Sequence, residues 1–165
     1  MNVWFCSDLH FGHRNIHKFR KHVISEEDNR EMVYSDWMQK VKKKDTVFVL
    51  GDAAFTMDTV DIFGELTGIK HLIRGNHDML DTQVYLKYFK NVFGILKYKE
   101  FWLSHAPIHP DELRGKLNLH GHVHYASLND QRYFNCCVEN VYSINGTALI
   151  SLEEIRKILN ARRTV

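Results

Sequence analysis

Two short apolar runs and a third strand-like run, each halted by polar residues, constrain this chain more than any other feature. Asn2 to Cys6 stops at Ser7-Asp8, Thr46 to Leu50 stops at Gly51-Asp52, and Ile69 to Ile73 stops at Arg74-Gly75-Asn76-His77-Asp78. Apolar runs without polar alternation predict strands covered on both faces. Helix signals lie between them. Ser25 followed by Asp28 predicts a capped helix reaching about Lys43, with Val33, Trp37 and Val41 as its core stripe. Asp58 predicts the cap of a helix reaching Leu66, which Gly68 stops, and further helical stretches are expected from Ile16 to His22 and from about Asp81 to Phe89. Strand, helix, strand, helix, strand implies parallel strands joined by right-handed crossovers.

The second half has a different pattern. Ile95 to Tyr98 and Phe101 to Ser104 flank Lys99-Glu100, a hairpin-sized gap, and further strands are expected at Lys116 to His120 and Tyr133 to Val138. Ser151 with Glu154 forms a capping box for a closing helix whose apolar face is Ile155, Ile158 and Leu159. At 165 residues the chain is expected to be a single domain, 1 to 165, with no room for a cap domain. Its 44% hydrophobic and 25% charged content excludes disordered and collagen-like classes. A net charge of +2 supplies no strong field for nucleic acid, and Lys42 to Lys44 are expected to be a solvated helix end. No apolar segment approaches the roughly 18 to 20 residues that span a bilayer, and Met1 leads into Asn2-Val3-Trp4-Phe5 without a charged leader. A cytoplasmic protein without a membrane partner is expected. Cys6, Cys136 and Cys137 lack a Cys-x-x-Cys spacing and are expected to be thiols in or near buried strands.

The unusual count is histidine, with 11 in the chain. Metal-type side chains recur at strand ends or adjoining loops: Asp8 with His10, Asp52, Asn76 with His77, His105, and His122 with His124. A lone Asp at such a place is usually a turn residue and a lone Asn a cap. Recurrence in stretch after stretch points instead to a metal centre, since imidazole is the commonest protein ligand for transition metals. Gly121 permits a sharp turn, so the rings of His122 and His124 are free to reach two ions about 3.5 to 4 Å apart.

Through Asp8-Leu9-His10, Gly51-Asp52, Gly75-Asn76-His77-Asp78, His105 and Gly121-His122-Val123-His124, the sequence resembles the calcineurin-like metallophosphoesterase superfamily. The opening Asp-Leu-His-Phe-Gly-His-Arg-Asn-Ile is similar to a compact bacterial and phage branch of it. The resemblance implies an α/β fold, a four-layer αββα sandwich of two mixed sheets flanked by helices. It implies that Asp8, His10 and His124 hold one divalent ion, that Asn76, His105 and His122 hold another, and that Asp52 bridges them. Two close cations repel, and a shared carboxylate offsets that repulsion. Mixed carboxylate, amide and imidazole donors suit Mn²⁺ first, with Fe²⁺, Ni²⁺ or Zn²⁺ as alternatives, over Ca²⁺.

The same resemblance implies hydrolysis of a phosphoester by a hydroxide held between the metals, with His77 as general acid for the leaving group and Asp78 orienting it. Gly51-Asp52 continues as Ala53-Ala54-Phe55, where the family's protein phosphatases carry an Asp-Arg pair. That departure directs the expectation away from phosphoproteins and leaves a smaller phosphodiesterase or phosphatase, of which a phosphodiesterase acting on a nucleotide or nucleic-acid-type substrate is the leading reading. Phosphate contacts are expected from His13, Arg14 and Asn15. A phosphomonoesterase using the same site is the alternative. From another class, the alternative is a binding scaffold without turnover. The natural substrate, the physiological metal and the oligomeric state stay open.

Overall fold

The computed structural model describes residues 1 to 163. The three runs form strands β1 (Val3–Cys6), β2 (Thr46–Val49) and β3 (Ile69–Ile73), parallel and aligned so that Cys6 pairs with Val49 and Val49 with Leu72. Because the strands end level, the polar residues that follow them emerge together at one edge. A short strand β4 (Asn91–Phe93) extends this sheet beside β3. Strands β5 (Ile95–Tyr98) and β6 (Phe101–Ser104) form the expected antiparallel hairpin. With β7 (Leu117–His120) and β8 (Tyr133–Asn135), both parallel to β6, they make a second sheet. A final strand, β9 (Ile150–Ser151), returns to pair antiparallel with β1, so the first sheet runs β4-β3-β2-β1-β9 and the second β5-β6-β7-β8.

Both sheets are therefore mixed, and the first is buried on both faces as its patterning predicts. Side chains alternate across each strand. Trp4, Cys6, Val47, Val49 and Leu72 pack outward against Val33, Trp37 and Val41. Phe5, Phe48, Leu50 and Ile73 pack inward against Phe101, Leu103, Leu119 and Phe134 of the second sheet. The closing helix adds Ile155 and Leu159 to that inner core.

The helices depart from expectation at their ends. Helix α1 (Glu26–Lys40) is capped by Ser25, whose hydroxyl accepts from the Asp28 N–H at 3.0 Å. It stops at Lys40 because Val41 is extended and Asp45 accepts the Lys42 N–H at 3.1 Å, drawing the chain into β2. Lys42, Lys43 and Lys44 are exposed. In place of one helix from Asp58 to Leu66 there is a short α2 (Met57–Val60), capped by Thr56, and a 3₁₀ turn at Asp61–Gly64. The stretch expected from Asp81 to Phe89 contracts to α3 (Thr82–Tyr85), with Asp81 as its cap. Ile16 to His22 contains only a 3₁₀ turn, Ile16–Lys18. The strand expected to reach Val138 ends at Asn135, and helix α4 (Val138–Asn145) begins where a strand was expected to finish. Helix α5 (Leu152–Arg163) starts at the expected capping box, with the Glu154 N–H donating to Ser151 Oγ at 3.2 Å and the Ser151 N–H to Glu154 Oε2 at 2.9 Å. Among the described residues, no helix is long and apolar enough to cross a membrane.

One contact ties the sheets together where it matters. Ser7, just past β1, makes an isolated parallel bridge with Cys137, just past β8. The Val138 N–H donates to the Ser7 carbonyl at 3.1 Å, so the strand ends of both sheets meet at a common edge.

Candidate metal centre

At that edge the backbone is bent out of its usual conformations. Asp8, His10, Asp52, His122 and His124 all have positive φ, between 50° and 72°. Such left-handed backbone costs an L-residue about 1 to 2 kcal/mol, and persists only where the surroundings enforce it. The enforcing contacts are visible. The Asp8 N–H donates to the Gly51 carbonyl and the His10 N–H to the Asp52 carbonyl, each at 3.0 Å, which locks the two loops together. Gly121 must lack a side chain, because a Cβ there would collide with Ser7 Oγ and Asp8 Oδ2.

Asp8 is fully buried. Its Oδ2 accepts from Ser7 Oγ at 2.7 Å, from the His122 N–H at 2.9 Å and from Cys137 Sγ at 3.1 Å. Its Oδ1 accepts nothing, and neither nitrogen of the buried His10 ring has a hydrogen-bond partner. An orphaned carboxylate oxygen and an orphaned imidazole inside a protein are costly unless something else satisfies them. Oδ1 lies 3.5 Å from His10 Nε2 and 3.7 Å from His124 Nε2. Burial alone would raise the Asp8 pKa, but the imidazoles of His10 and His105 and the Ser7 hydroxyl outweigh it and hold the carboxyl far below the usual range.

Asp52 stands between two groups of donors. Its Oδ1 accepts the His77 N–H at 2.9 Å, while Oδ2 lies 3.8 Å from His10 Nε2 and 3.4 Å from His105 Nε2. His105 donates from Nδ1 to the Leu50 carbonyl at 2.8 Å, which leaves Nε2 as the inward nitrogen. Around that nitrogen are Asn76 Oδ1 at 2.9 Å and His122 Nδ1 at 3.2 Å. Burial opposes the charged form of His105, but Asp52 and Asp8 prevail and raise its pKa.

All the sequence-expected ligands thus converge: Asp8, His10 and His124 on one side, Asn76, His105 and His122 on the other, Asp52 between. Ligand atoms of Asp8, His10 and His124, and separately of Asp8, Asp52 and His105, lie within 4.8 Å of one another. The donor set and the unsatisfied atoms fit divalent metal ions.

Other expected residues sit elsewhere. The Asp78 carboxylate is buried beneath the centre, accepting the N–H groups of Asp52 (2.9 Å), Ala53 (2.9 Å) and Gly75 (2.8 Å). It braces the two ligand loops and does not orient the His77 ring, which is exposed and stacks on Phe55 at 5.0 Å. Of the three expected phosphate contacts, only His13 comes near, its ring 5.8 Å from that of His10. Arg14 and Asn15 are exposed, and Arg14 faces a separate depression shared with Glu26, Glu27 and Asp58. The left-handed turn at Gly12, φ 86°, and the 3₁₀ turn beginning at Ile16 carry the chain away from the centre.

Sequence reasoning missed the support behind the first group. His124 donates from Nδ1 to Glu139 Oε1 at 3.1 Å, which leaves Nε2 for a metal and raises the His124 pKa. Glu139 is itself held by Arg20, fully buried, whose Nε donates to Oε1 at 2.9 Å. Arg20 Nη2 also donates to the Asp8 carbonyl at 2.6 Å, and its Nη1 to Asn29 Oδ1. This carboxylate behind a ligating histidine fixes the ring's tautomer and orientation.

The family profile for calcineurin-like phosphoesterases matches residues 1–157. The chain belongs to this family. As a calcineurin-like phosphoesterase it is a hydrolase of the phosphoesterase type, from a family that works with divalent metals. It is 27% identical to the Gene 66 protein of Mycobacterium phage D29, with 96% of each chain covered. An uncharacterized protein of Methanocaldococcus jannaschii is 30% identical over 81% of this chain and 75% of its own length. The Gene 66 protein of Mycobacterium phage L5 is 37% identical over 47% of this chain, a match spanning 40% of that relative. Among solved structures, a protein of unknown function from Aquifex aeolicus superposes with a TM-score of 0.75 and 26% identity, covering 95% of this chain and 98% of that one.

Proposed function

We propose that this protein is a dinuclear phosphodiesterase acting on a nucleotide or nucleic-acid-type substrate. The observation that carries the reading is Asp52, whose Oδ2 faces His10 Nε2 at 3.8 Å and His105 Nε2 at 3.4 Å, a carboxylate shared between two donor groups. Asp8, His10 and His124 would hold one ion and Asn76, His105 and His122 the other, with Mn²⁺ proposed first and Fe²⁺, Ni²⁺ or Zn²⁺ also compatible with mixed carboxylate, amide and imidazole donors. When bound, such ions supply an acidified water as nucleophile and screen the phosphoryl charge.

The chain's own residues do the rest. Asp52 lowers the repulsion between the ions, and its Oδ1 is fixed by the His77 N–H at 2.9 Å. Ser7, Cys137 and the His122 N–H occupy Asp8 Oδ2, so only Oδ1 faces the centre. His77 belongs to neither donor group. Its ring, 5.7 Å from that of His10, is exposed where a departing oxygen would pass into solvent, and it donates a proton to that oxygen. The P–O bond to the leaving group breaks as the bond to the water oxygen forms.

The test separates proton donation from metal binding. His77→Ala is expected to retain the wild-type metal content. It should slow hydrolysis of an alkyl or nucleoside ester by about 10² to 10⁴ and slow a nitrophenyl ester much less, because nitrophenolate leaves without a proton. Equal slowing of both esters with metals intact would make His77 a phosphate-positioning residue, and loss of metal would make it a ligand.

A further inference from the structure

Beside the centre lies a cavity of about 310 Å³, at the lower end of the range of small-molecule sites. Three of its lining residues, His10, His77 and His124, come from the centre itself, and His13, Phe19 and Tyr125 supply further rings. Phe19 is 61% exposed and Tyr125 49% exposed. A single exposed aromatic residue needs no explanation. Two of them, sharing one cavity with the proposed proton donor, do.

These rings are held in place. The Lys21 N–H donates to the Tyr125 hydroxyl at 3.1 Å, joining segments 104 residues apart. Phe19 precedes Arg20, which is fully buried and anchored to the Asp8 carbonyl and Glu139. Ring contacts support the wall from behind: Phe19 meets His13 edge-on at 5.8 Å, and His13 and His77 both contact Phe55, outside the lining, at 5.1 and 5.0 Å. Among the described residues no carboxylate lines the cavity, and the Lys21 ammonium lies 5.8 Å from the centre of the Tyr125 ring. An aromatic wall free of acidic groups, with an ammonium group at its edge, is complementary to a flat, weakly polar ring attached to an anion.

We infer that this cavity receives the base of a nucleoside joined to the phosphate at the metal centre, so that the nucleoside is the departing alcohol. A sugar or peptide ester would leave the exposed Phe19 and Tyr125 rings without a flat group to stack against. Base-on-ring stacking tolerates any base, so selection is for a nucleoside over other alcohols rather than for one base over another. The inference rests on the hydrolytic reading of the same centre, because His77 lines both.

The experiment measures binding, so that it is independent of turnover. Methylene-phosphonate analogues of adenosine 5′-monophosphate and ribose 5-phosphate, which resist hydrolysis, are titrated calorimetrically into the Mn²⁺-supplied protein. The base should tighten binding by roughly 5- to 150-fold, the range for stacking on an aromatic side chain. Phe19→Ala and Tyr125→Ala should erase most of that difference at unchanged metal content, whereas Tyr125→Phe, which keeps the ring, should preserve it. Equal affinity of the two analogues for the wild-type protein, or a preference untouched by both alanine variants, would overturn the inference. Turnover of bis(4-nitrophenyl) phosphate on the same samples tells the two readings apart: turnover without a base preference leaves the hydrolase and removes the pocket, and a base preference without turnover does the reverse.

Discussion

Around Asp8, His10 and His124 the supporting atoms are buried and charged, whereas Asn76 and His122 on the other side of Asp52 are exposed and only His105 is buried. The first group has Glu139 and Arg20 behind it, together with Ser7 and Cys137 on Asp8. In the second, His105 leans on the Leu50 carbonyl and, among the described residues, the His122 ring has a hydrogen-bond partner only in His105. All three ligands of the first group have left-handed backbone, against His122 alone in the second. The first half is therefore set before an ion arrives, and the second is open to solvent and substrate. On the proposed two-metal reading, unequal affinities are expected: a tight position beside Asp8 and a weaker, exchangeable one beside His105.

Substitutions sharpen or break this contrast, beginning with the residue the halves share. Asp52→Asn should weaken both positions by roughly 10² to 5 × 10³, since removing one charge from a buried charged cluster costs about 3 to 5 kcal/mol. Calorimetric Mn²⁺ titration checks it, and weakening of one position alone would place Asp52 in a single half. Glu139→Gln should act on the tight half only, lowering its affinity by about 10- to 100-fold, the usual effect of altering the partner behind a ligating histidine. An equal loss at both positions would show that Glu139 supports the fold in general rather than His124 in particular. The smallest effect is expected for Asn76→Ala. Its amide oxygen is neutral and exposed, so water can replace it, and the weaker position should lose under about tenfold while the tight one is unmoved.

The legibility of these halves in the sequence also differs by kind of residue. Strands β1 and β2 were legible because continuous apolar runs have few other homes, β3 because Ile69 to Ile73 follows a helix stop at Gly68 and ends in polar residues, and the β5–β6 hairpin because two strand-like runs bracket Lys99-Glu100. The convergence of Asp8, His10, Asp52, Asn76, His105, His122 and His124 was legible because Asp, Asn and His recur just past strand ends. Strand β4 was not, since Asn91–Phe93 is too short to carry a period. Helix α4 was not, because Cys136-Cys137-Val138 reads as strand until the Ser7 bridge turns it. Arg20 and Glu139 were hidden for a different reason. A charged residue is ordinarily exposed, and only their pairing with each other, 119 positions apart, makes burial affordable. Asp78 was misjudged because its neighbour His77 offered a nearer role than the three backbone N–H groups it accepts.

The central claim, that two unequal ion positions share Asp52, is most directly tested by Mn²⁺ titration of chelator-treated wild-type protein followed by electron paramagnetic resonance at each step. The account predicts two equivalents taken up in two resolved steps. The first should give the spectrum of an isolated ion, and the second should replace it with that of an exchange-coupled pair, as a shared carboxylate requires. Saturation at one equivalent, or two equivalents that keep isolated-ion spectra throughout, would contradict it.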